Sequence, residues 1–288
     1  MTKLAIMSDL HIDLNHFNKD EIDVLINILK EEAVDHLHLA GDLANHFDKT
    51  TKPFLSYLEQ FIKVTYNLGN HDMLDLSEDT IEANDFQVYP LSADYCLLAI
   101  HGWYDYSFYP LKTEQENLAF KKSFWFDRRL KRKQSDPQIT DAICQKLESK
   151  LCQLADKRLI VAMHFVPHQA FLLSYPKLKP FNAFLGSHKF HQIFTNTSVT
   201  DVVFGHNHKR INKTELDGIT YHSKPLGYMK EWQLTNHFLR QFPHYLTKDT
   251  YHPNKRFAAI KNEEAFIIYR QEHLAEEFRS AMTIFTIG

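Results

Sequence analysis

Lys63-Val64-Thr65-Tyr66, running into Asn67-Leu68-Gly69-Asn70-His71-Asp72, couples a short strand pattern to a polar loop that holds one glycine. Upstream, Pro53 to Ile62 has a helical pattern, preceded by His36-Leu37-His38-Leu39, which alternates with period two and ends in Ala40-Gly41-Asp42. Further back, Ile22, Leu25, Ile26 and Leu29 mark one helix face behind Asn18, and Glu21 stands where a capping box needs it. Leu4-Ala5-Ile6-Met7 is a buried strand that runs into Ser8-Asp9-Leu10-His11. Strand, polar loop, helix and strand therefore repeat. That rhythm predicts a parallel sheet covered by helices, with the loops at the strand C-termini as the functional edge.

The pattern continues downstream. Tyr95 to Ile100 is a strand, followed by His101-Gly102-Trp103-Tyr104-Asp105-Tyr106. Thr113-Glu114-Gln115-Glu116 forms a capping box for a helix expected to reach about Lys133, and Asp136-Pro137 opens a second helix with core stripe Ile143, Leu147, Leu151 and Leu154. This helical pair, about 113 to 156, reads as an insertion between sheet strands. Arg158 to Met163 resumes the sheet and ends in His164, and Val199 to Phe204 ends in Gly205-His206-Asn207-His208. Two short strands, about Arg210 to Glu215 and Ile219 to Ser223, meet at the hairpin turn Asp217-Gly218. A C-terminal extension occupies about 230 to 288, with Glu263 to Ser280 as a closing helix, and the whole reads as one domain.

Composition removes several classes. The 288 residues are enough for a full core. Lys and Arg number 33 against 36 Asp and Glu, a net charge of −3, so the basic excess of a general polyanion binder is absent. No run of 18 apolar residues suggests a membrane span. Cys96, Cys144 and Cys152 are odd in number and scattered, which fits a reducing, cytoplasmic setting better than a disulfide framework. Glycine is scarce, 8 in the chain, whereas histidine is abundant at 18.

Five strand ends carry Asp9-Leu10-His11, Gly41-Asp42, Gly69-Asn70-His71-Asp72, His164 and Gly205-His206-Asn207-His208. Each alone is an ordinary turn or cap, but strand C-termini of an open α/β sheet converge on one edge. The residue types also fit one task. Two divalent metals about 3.5–4 Å apart need a bridging carboxylate and nitrogen and oxygen donors, and such a pair polarises phosphate and generates hydroxide. With no cysteine in the set, Mn, Fe or Zn suits it better than a structural zinc site.

At these residues the sequence resembles the calcineurin-like metallophosphoesterase superfamily, whose signature runs Asp-x-His, Gly-Asp, Gly-Asn-His-Asp/Glu, His and Gly-His-x-His. All five blocks occur in order over about residues 4 to 227. The resemblance implies a four-layer α/β/β/α sandwich and a dinuclear phosphoesterase. It places Asp9, His11 and His208 on a first metal, Asn70, His164 and His206 on a second, and Asp42 between them. A bridging hydroxide would attack phosphorus in line. His71 would stabilise the transferring phosphoryl group or protonate the leaving oxygen, with Asp72 as its orienting partner. The substrate would be a small phosphate mono- or diester or a nucleotide-like molecule; the resemblance does not say which.

Several residues stand outside the shared blocks. Where many members carry Asn-Pro-Gly-Ser, this chain has Lys224-Pro225-Leu226-Gly227, and Lys224 is a candidate phosphate contact or a solvated lysine. His101 and His168 are candidates for the substrate mouth, and His16 and His46 for support of the ligands. Trp103, Tyr104, Tyr106, Phe108 and Tyr109 form either a stacking wall or the hydrophobic hinge of the insertion. The basic run Arg128, Arg129, Lys131, Arg132 and Lys133 suits a solvated helix face or a phosphate-binding surface, whereas His36 and His38 read as structural. Two rival functions remain: a nuclease of the same superfamily, and a non-catalytic scaffold such as the retromer subunit that shares the fold. A protein serine/threonine phosphatase would carry arginine-bearing signatures that this chain lacks.

Overall fold

In the computed structural model, which describes residues 1–246 and 252–288, β1 (Thr2–Met7) lies parallel to β2 (His36–Ala40), with Leu4 opposite His36. The crossover helix α1 (Lys19–Glu31) starts on the Asn18–Glu21 capping box and buries Leu25, Ile26, Ile28 and Leu29. A second crossover, α2 (Lys52–Leu58), leads to β3 (Lys63–Asn67), which is also parallel.

The short α3 (Glu78–Ala83) and β4 (Gln87–Pro90) lead into a second sheet. There β5 (Tyr95–Ile100) is followed by α4 (Glu114–Phe124) and α5 (Asp136–Gln153), then by β6 (Arg158–Met163) beside β5. After α6 (Lys189–Phe194) come β7 (Val199–Val203), β8 (Thr214–Leu216) and β9 (Ile219–His222). Asp217 and Gly218, at φ 49° and 79°, make the β8–β9 hairpin turn. The C-terminal part contributes α7 (Gln233–Gln241), α8 (Pro253–Ile260), α9 (Glu264–Ser280) and β10 (Thr283–Ile287). Strand order is β10-β1-β2-β3 in one sheet and β4-β5-β6-β7-β9-β8 in the other.

Strand alternation explains the stacking. Leu4 and Ile6 of β1 face Leu97, Ile160, Ala162 and Val203 of the second sheet. Their neighbours Ala5 and Met7 face the other way, against Leu25, Leu58, Phe238 and Phe278 from the helices. On the far side Leu98, Val161 and Val202 pack under Ile143, Leu147 and Phe190. The chain is thus a mixed α/β fold whose two sheets pack face to face between helical layers.

The structure departs from expectation in three elements. The α4 helix stops at Phe124 rather than near Lys133: Trp125 is extended (φ −98°, ψ 146°) and Phe126–Arg129 is one 3-10 turn. The basic run is therefore not a helix face, and Arg132 pairs with Glu78 at 3.0 Å. The strand expected over about Arg210 to Glu215 is the shorter β8, Thr214–Leu216. Finally, a strand, β10, follows the closing helix. It pairs antiparallel with β1, Thr2 opposite Ile287, and forms the edge of the first sheet. Trp103, Tyr104, Tyr106 and Phe108 are buried as a hinge, with the Trp103 indole and Tyr106 phenol donating to Asp136.

Candidate metal centre

Five parallel strands deliver the polar blocks to one place. The loops after β1 and β2 are stitched together by Asp9 N–H to Gly41 O and His11 N–H to Asp42 O, both 3.0 Å. Gly205 N–H reaches His164 O at 3.1 Å, tying the loop after β7 to the end of β6. These turns are tight enough to force left-handed backbone on non-glycine residues: Asp9, His11, Asp42, His206 and His208 have φ between 42° and 67°. Strain of this kind, of order 1–3 kcal/mol per residue, persists where the surroundings over-determine it, as at functional sites. Two glycines allow the approach: a Cβ on Gly69 would lie 2.2 Å from Asp42 Oδ1, and one on Gly205 2.1 Å from Asp9 Oδ2.

The side chains form two overlapping groups. Asp9, His11, Asp42 and His208 can each present one donor atom to a common point, as can Asp42, His164 and His206. His208 Nε2 lies 3.2 Å from Asp9 Oδ1 and 3.1 Å from His11 Nε2. In the second group His164 Nε2 is 3.1 Å from His206 Nδ1, 3.1 Å from Asn70 Oδ1 and 3.4 Å from Asp42 Oδ1. All seven candidate ligands thus face one buried pocket.

Hydrogen-bond accounting shows what the pocket requires. His164 donates its Nδ1–H to Ala40 O at 3.3 Å, and His206 its Nε2–H to Phe184 O at 3.1 Å. The Asn70 amide donates to Asp127. What remains is a set of lone pairs from His164, His206, Asn70 and Asp42 pointing at one another, with the His71 backbone N–H, 2.8 Å from Asp42 Oδ1, donating to one of them. Buried acceptors in that arrangement repel unless a cation or an added proton sits among them. In the first group His208 donates Nδ1–H to Glu231 at 2.8 Å, while His11 Nδ1 is buried without a partner. A carboxylate behind a ligating imidazole fixes its tautomer and raises its basicity. The residues fit divalent cations.

Electrostatics agree. Burial would raise the Asp9 and Asp42 carboxyls, but surrounding imidazoles outweigh it, holding Asp9 at about 2 and Asp42 well below the carboxylate range. Burial opposes charging His164 and His208, yet Asp42 lifts the first to about 9, and Asp9 with Glu231 lifts the second to about 10. Burial keeps His206 neutral, at about 3, and pushes His11 down as well. The pocket demands positive charge.

His71 stands at the edge of this pocket, Nε2 3.9 Å from Asp42 Oδ2. Its Nδ1–H donates to Asn45 Oδ1 at 3.0 Å, and the Asn45 amide is itself fixed by Asp13 at 2.8 Å. Burial lowers the imidazole, against the pull of Asp42. Asp72 does not orient His71, contrary to expectation. Its carboxyl accepts from the N–H groups of Asp42, Gly69, Leu43 and Ala44 at 2.7–3.1 Å and so clamps the loops after β2 and β3. Burial and the nearby Asp42 raise it to about 7 against those donors.

Three other expected contacts fall elsewhere. His101 turns away from the pocket and pairs with Asp85 at 2.8 Å; only its carbonyl, accepting from His164 N–H at 3.2 Å, touches the site. His168 accepts from Ala170 N–H and packs against His188 and His191 on the outer face. Lys224 donates to Met282 O at 3.1 Å, while the next residues of its loop, Leu226 and Gly227, donate to Ser8 O and Asp9 O just after β1. That loop does reach the site, but through Tyr228, whose ring stacks on His11 at 4.5 Å and whose hydroxyl lies 3.4 Å from His71 Nε2. His46 pairs with Asp75 at 3.5 Å, whereas His16 is exposed. Asn45, Glu231, Tyr228, Phe126 and Asp127 carried no local sequence signal, since each acts through a distant partner.

The chain belongs to the calcineurin-like phosphoesterase family, whose profile matches residues 2–210. With the donor cluster, this makes it a metal-dependent phosphoesterase. Among solved structures it is similar to phosphopantetheinyl hydrolase from Mycobacterium tuberculosis (TM-score 0.59, 21% identity, 81% of this chain and 92% of that one). It is also similar to a dimetal phosphatase from Danio rerio (TM-score 0.51, 13% identity, 77% and 86% coverage). A third similar structure is TT1561 of Thermus thermophilus (TM-score 0.50, 12% identity, 78% and 89%). At these identities the likeness shows the shared fold. A comparison with curated proteins finds no match. Among the described residues, no helix is long and apolar enough to cross a membrane.

Proposed function

We propose that this protein hydrolyses a phosphate mono- or diester of a small or nucleotide-like molecule, using two divalent cations that share Asp42. The observation that carries this reading is the buried ring of acceptors with Asp42 common to both donor groups. When bound, the two cations polarise the phosphate and activate the attacking water. Asp9, His11 and His208 hold one, and Asn70, His164 and His206 the other; the cysteine-free donor set suits Mn, Fe or Zn.

His71 supplies the proton chemistry. Asn45 fixes its Nδ1–H, so Nε2 is the atom offered to the phosphoryl group or the leaving oxygen. Phe126, stacked on the ring at 3.7 Å, and Tyr228, whose hydroxyl lies 3.4 Å from Nε2, limit its motion. A positioned general acid of this type contributes roughly 10²–10⁴ in rate.

The test is turnover of p-nitrophenyl phosphate, bis-p-nitrophenyl phosphate, cyclic nucleotides and single-stranded DNA by the Mn²⁺-loaded protein. Metal-dependent hydrolysis of one of the small esters is expected. Absent or metal-independent turnover on all four would overturn the enzyme reading, and a clear preference for DNA would replace it with the nuclease. Asp42→Ala should lose metal, whereas His71→Ala should keep metal and lose rate.

A further inference from the structure

An asparagine ligates through one amide atom only, so which way the Asn70 amide faces matters. Its Nδ2 donates to Asp127 Oδ1 at 2.7 Å, and this leaves Oδ1 in the pocket, 3.1 Å from His164 Nε2. Both residues are buried, Asn70 at 2% and Asp127 at 1% exposure. Asp127 is held in turn by the Trp125 indole, which donates to Oδ2 at 2.9 Å. Rotating the amide by half a turn would set its carbonyl oxygen against the Asp127 carboxylate and its N–H₂ against the cation position, wrong on both sides.

Asp127 comes from the break between α4 and α5, far from Asn70 in sequence. Its neighbours in that break also reach the centre. Trp125 lies edge-on to His206 at 5.7 Å, and Phe126 stacks on His71 with the rings 12° from parallel. Three consecutive side chains thus meet three different residues of the site. That contact pattern explains why α4 ends at Phe124 with no proline or glycine to stop it.

We propose that Asp127 is a positioning residue that sets the Asn70 amide with its oxygen toward the cation, making the 125–127 break a wall of the metal centre. This rests on the reading that the acceptor ring binds divalent cations. Calorimetric titration of metal-free protein with Mn²⁺ tests it without recourse to activity. Asp127→Ala should weaken one of the two binding events by roughly 10–100-fold, the usual cost of losing a partner behind a ligand. Asn70→Asp supplies a ligand whose two oxygens are equivalent and need no orienting, but it sets two buried carboxylates against each other. In that background, removing Asp127 should change Mn²⁺ affinity far less.

This loss of the effect is the discriminating result, because a merely structural Asp127 would weaken binding equally in both backgrounds. Wild-type affinity in Asp127→Ala, or equal weakening in both backgrounds, would overturn the proposal. Should Asp127→Ala fail to fold, Asp127→Leu keeps the bulk while removing the acceptor and must show the same pattern. A wild-type protein that binds no Mn²⁺ would instead sink the cation reading itself.

Discussion

Gly69 shows how little freedom the site leaves a single residue. A methyl group there would stand 2.2 Å from Asp42 Oδ1 and 2.4 Å from Asp42 N, and neither can retreat, since Asp72 clamps that loop. Gly69→Ala should therefore abolish tight Mn²⁺ binding while far-UV circular dichroism stays native; retained affinity would refute the crowding argument. Glu231→Ala should weaken Mn²⁺ binding by roughly 10–100-fold in calorimetry, because His208 loses the carboxylate that fixes its tautomer. The candidate ligands were legible because each pairs a donor side chain with a strand end. Their supports were not. Asn45 and Glu231 look like any loop asparagine or glutamate until folding brings His71 and His208 to them. Lys224 shows the converse: its loop reaches the site, but the turn sends the lysine to Met282 and leaves Tyr228 beside His71.

Among the elements, those with local signals formed as expected. Asn18 and Thr113 cap α1 and α4, and the Asp217-Gly218 turn makes its hairpin, because each rests on contacts within a few residues. The elements that differ depend on remote contacts. The α4 helix ends where Trp125, Phe126 and Asp127 find partners in the metal centre. β10 exists because β1 would otherwise be an open edge, although Thr283-Ile284-Phe285-Thr286-Ile287 does carry a β-branched, alternating pattern that could have found it. Ile287 is buried at 4% in the layer between the sheets. Ile287→Ala should cost about 2 kcal/mol, the low end for such truncations since a chain end can relax. Urea denaturation measures it, and no loss of stability would show that β10 contributes little.

For the whole molecule, acid sensitivity follows from a polar chain on the first sheet. His36 Nε2–H donates to Thr65 Oγ1 at 2.6 Å, the Thr65 hydroxyl donates to His38 Nδ1 at 2.8 Å, and His38 Nε2–H donates to Asn67 Oδ1 at 3.0 Å. The chain works only with the His38 imidazole neutral, since its Nδ1 accepts from Thr65. Burial holds His38 at about 3, far below the 6.5 of a free histidine. As pH falls through 6.5 the unfolded state therefore takes up the proton first. Stability should drop toward pH 3, by at most about 1.4 kcal/mol per pH unit from this group. Melting temperatures from pH 7.5 to 5 should fall less steeply in His38→Gln than in wild type, and parallel slopes would refute the assignment.

What the sequence determined by itself is the strand–loop–helix rhythm and the donor residues at the strand ends; the two-sheet class followed only from the family resemblance. Hydrophobic period, caps and turns act within a few residues, and a parallel strand must end where its loop begins. Only the tertiary structure decided which way each side chain faces. The Asn70 amide, the His71 tautomer, the end of α4 and the closing strand β10 each depend on a partner far away in the chain. A hydrogen bond between distant residues leaves no periodicity for a sequence to display.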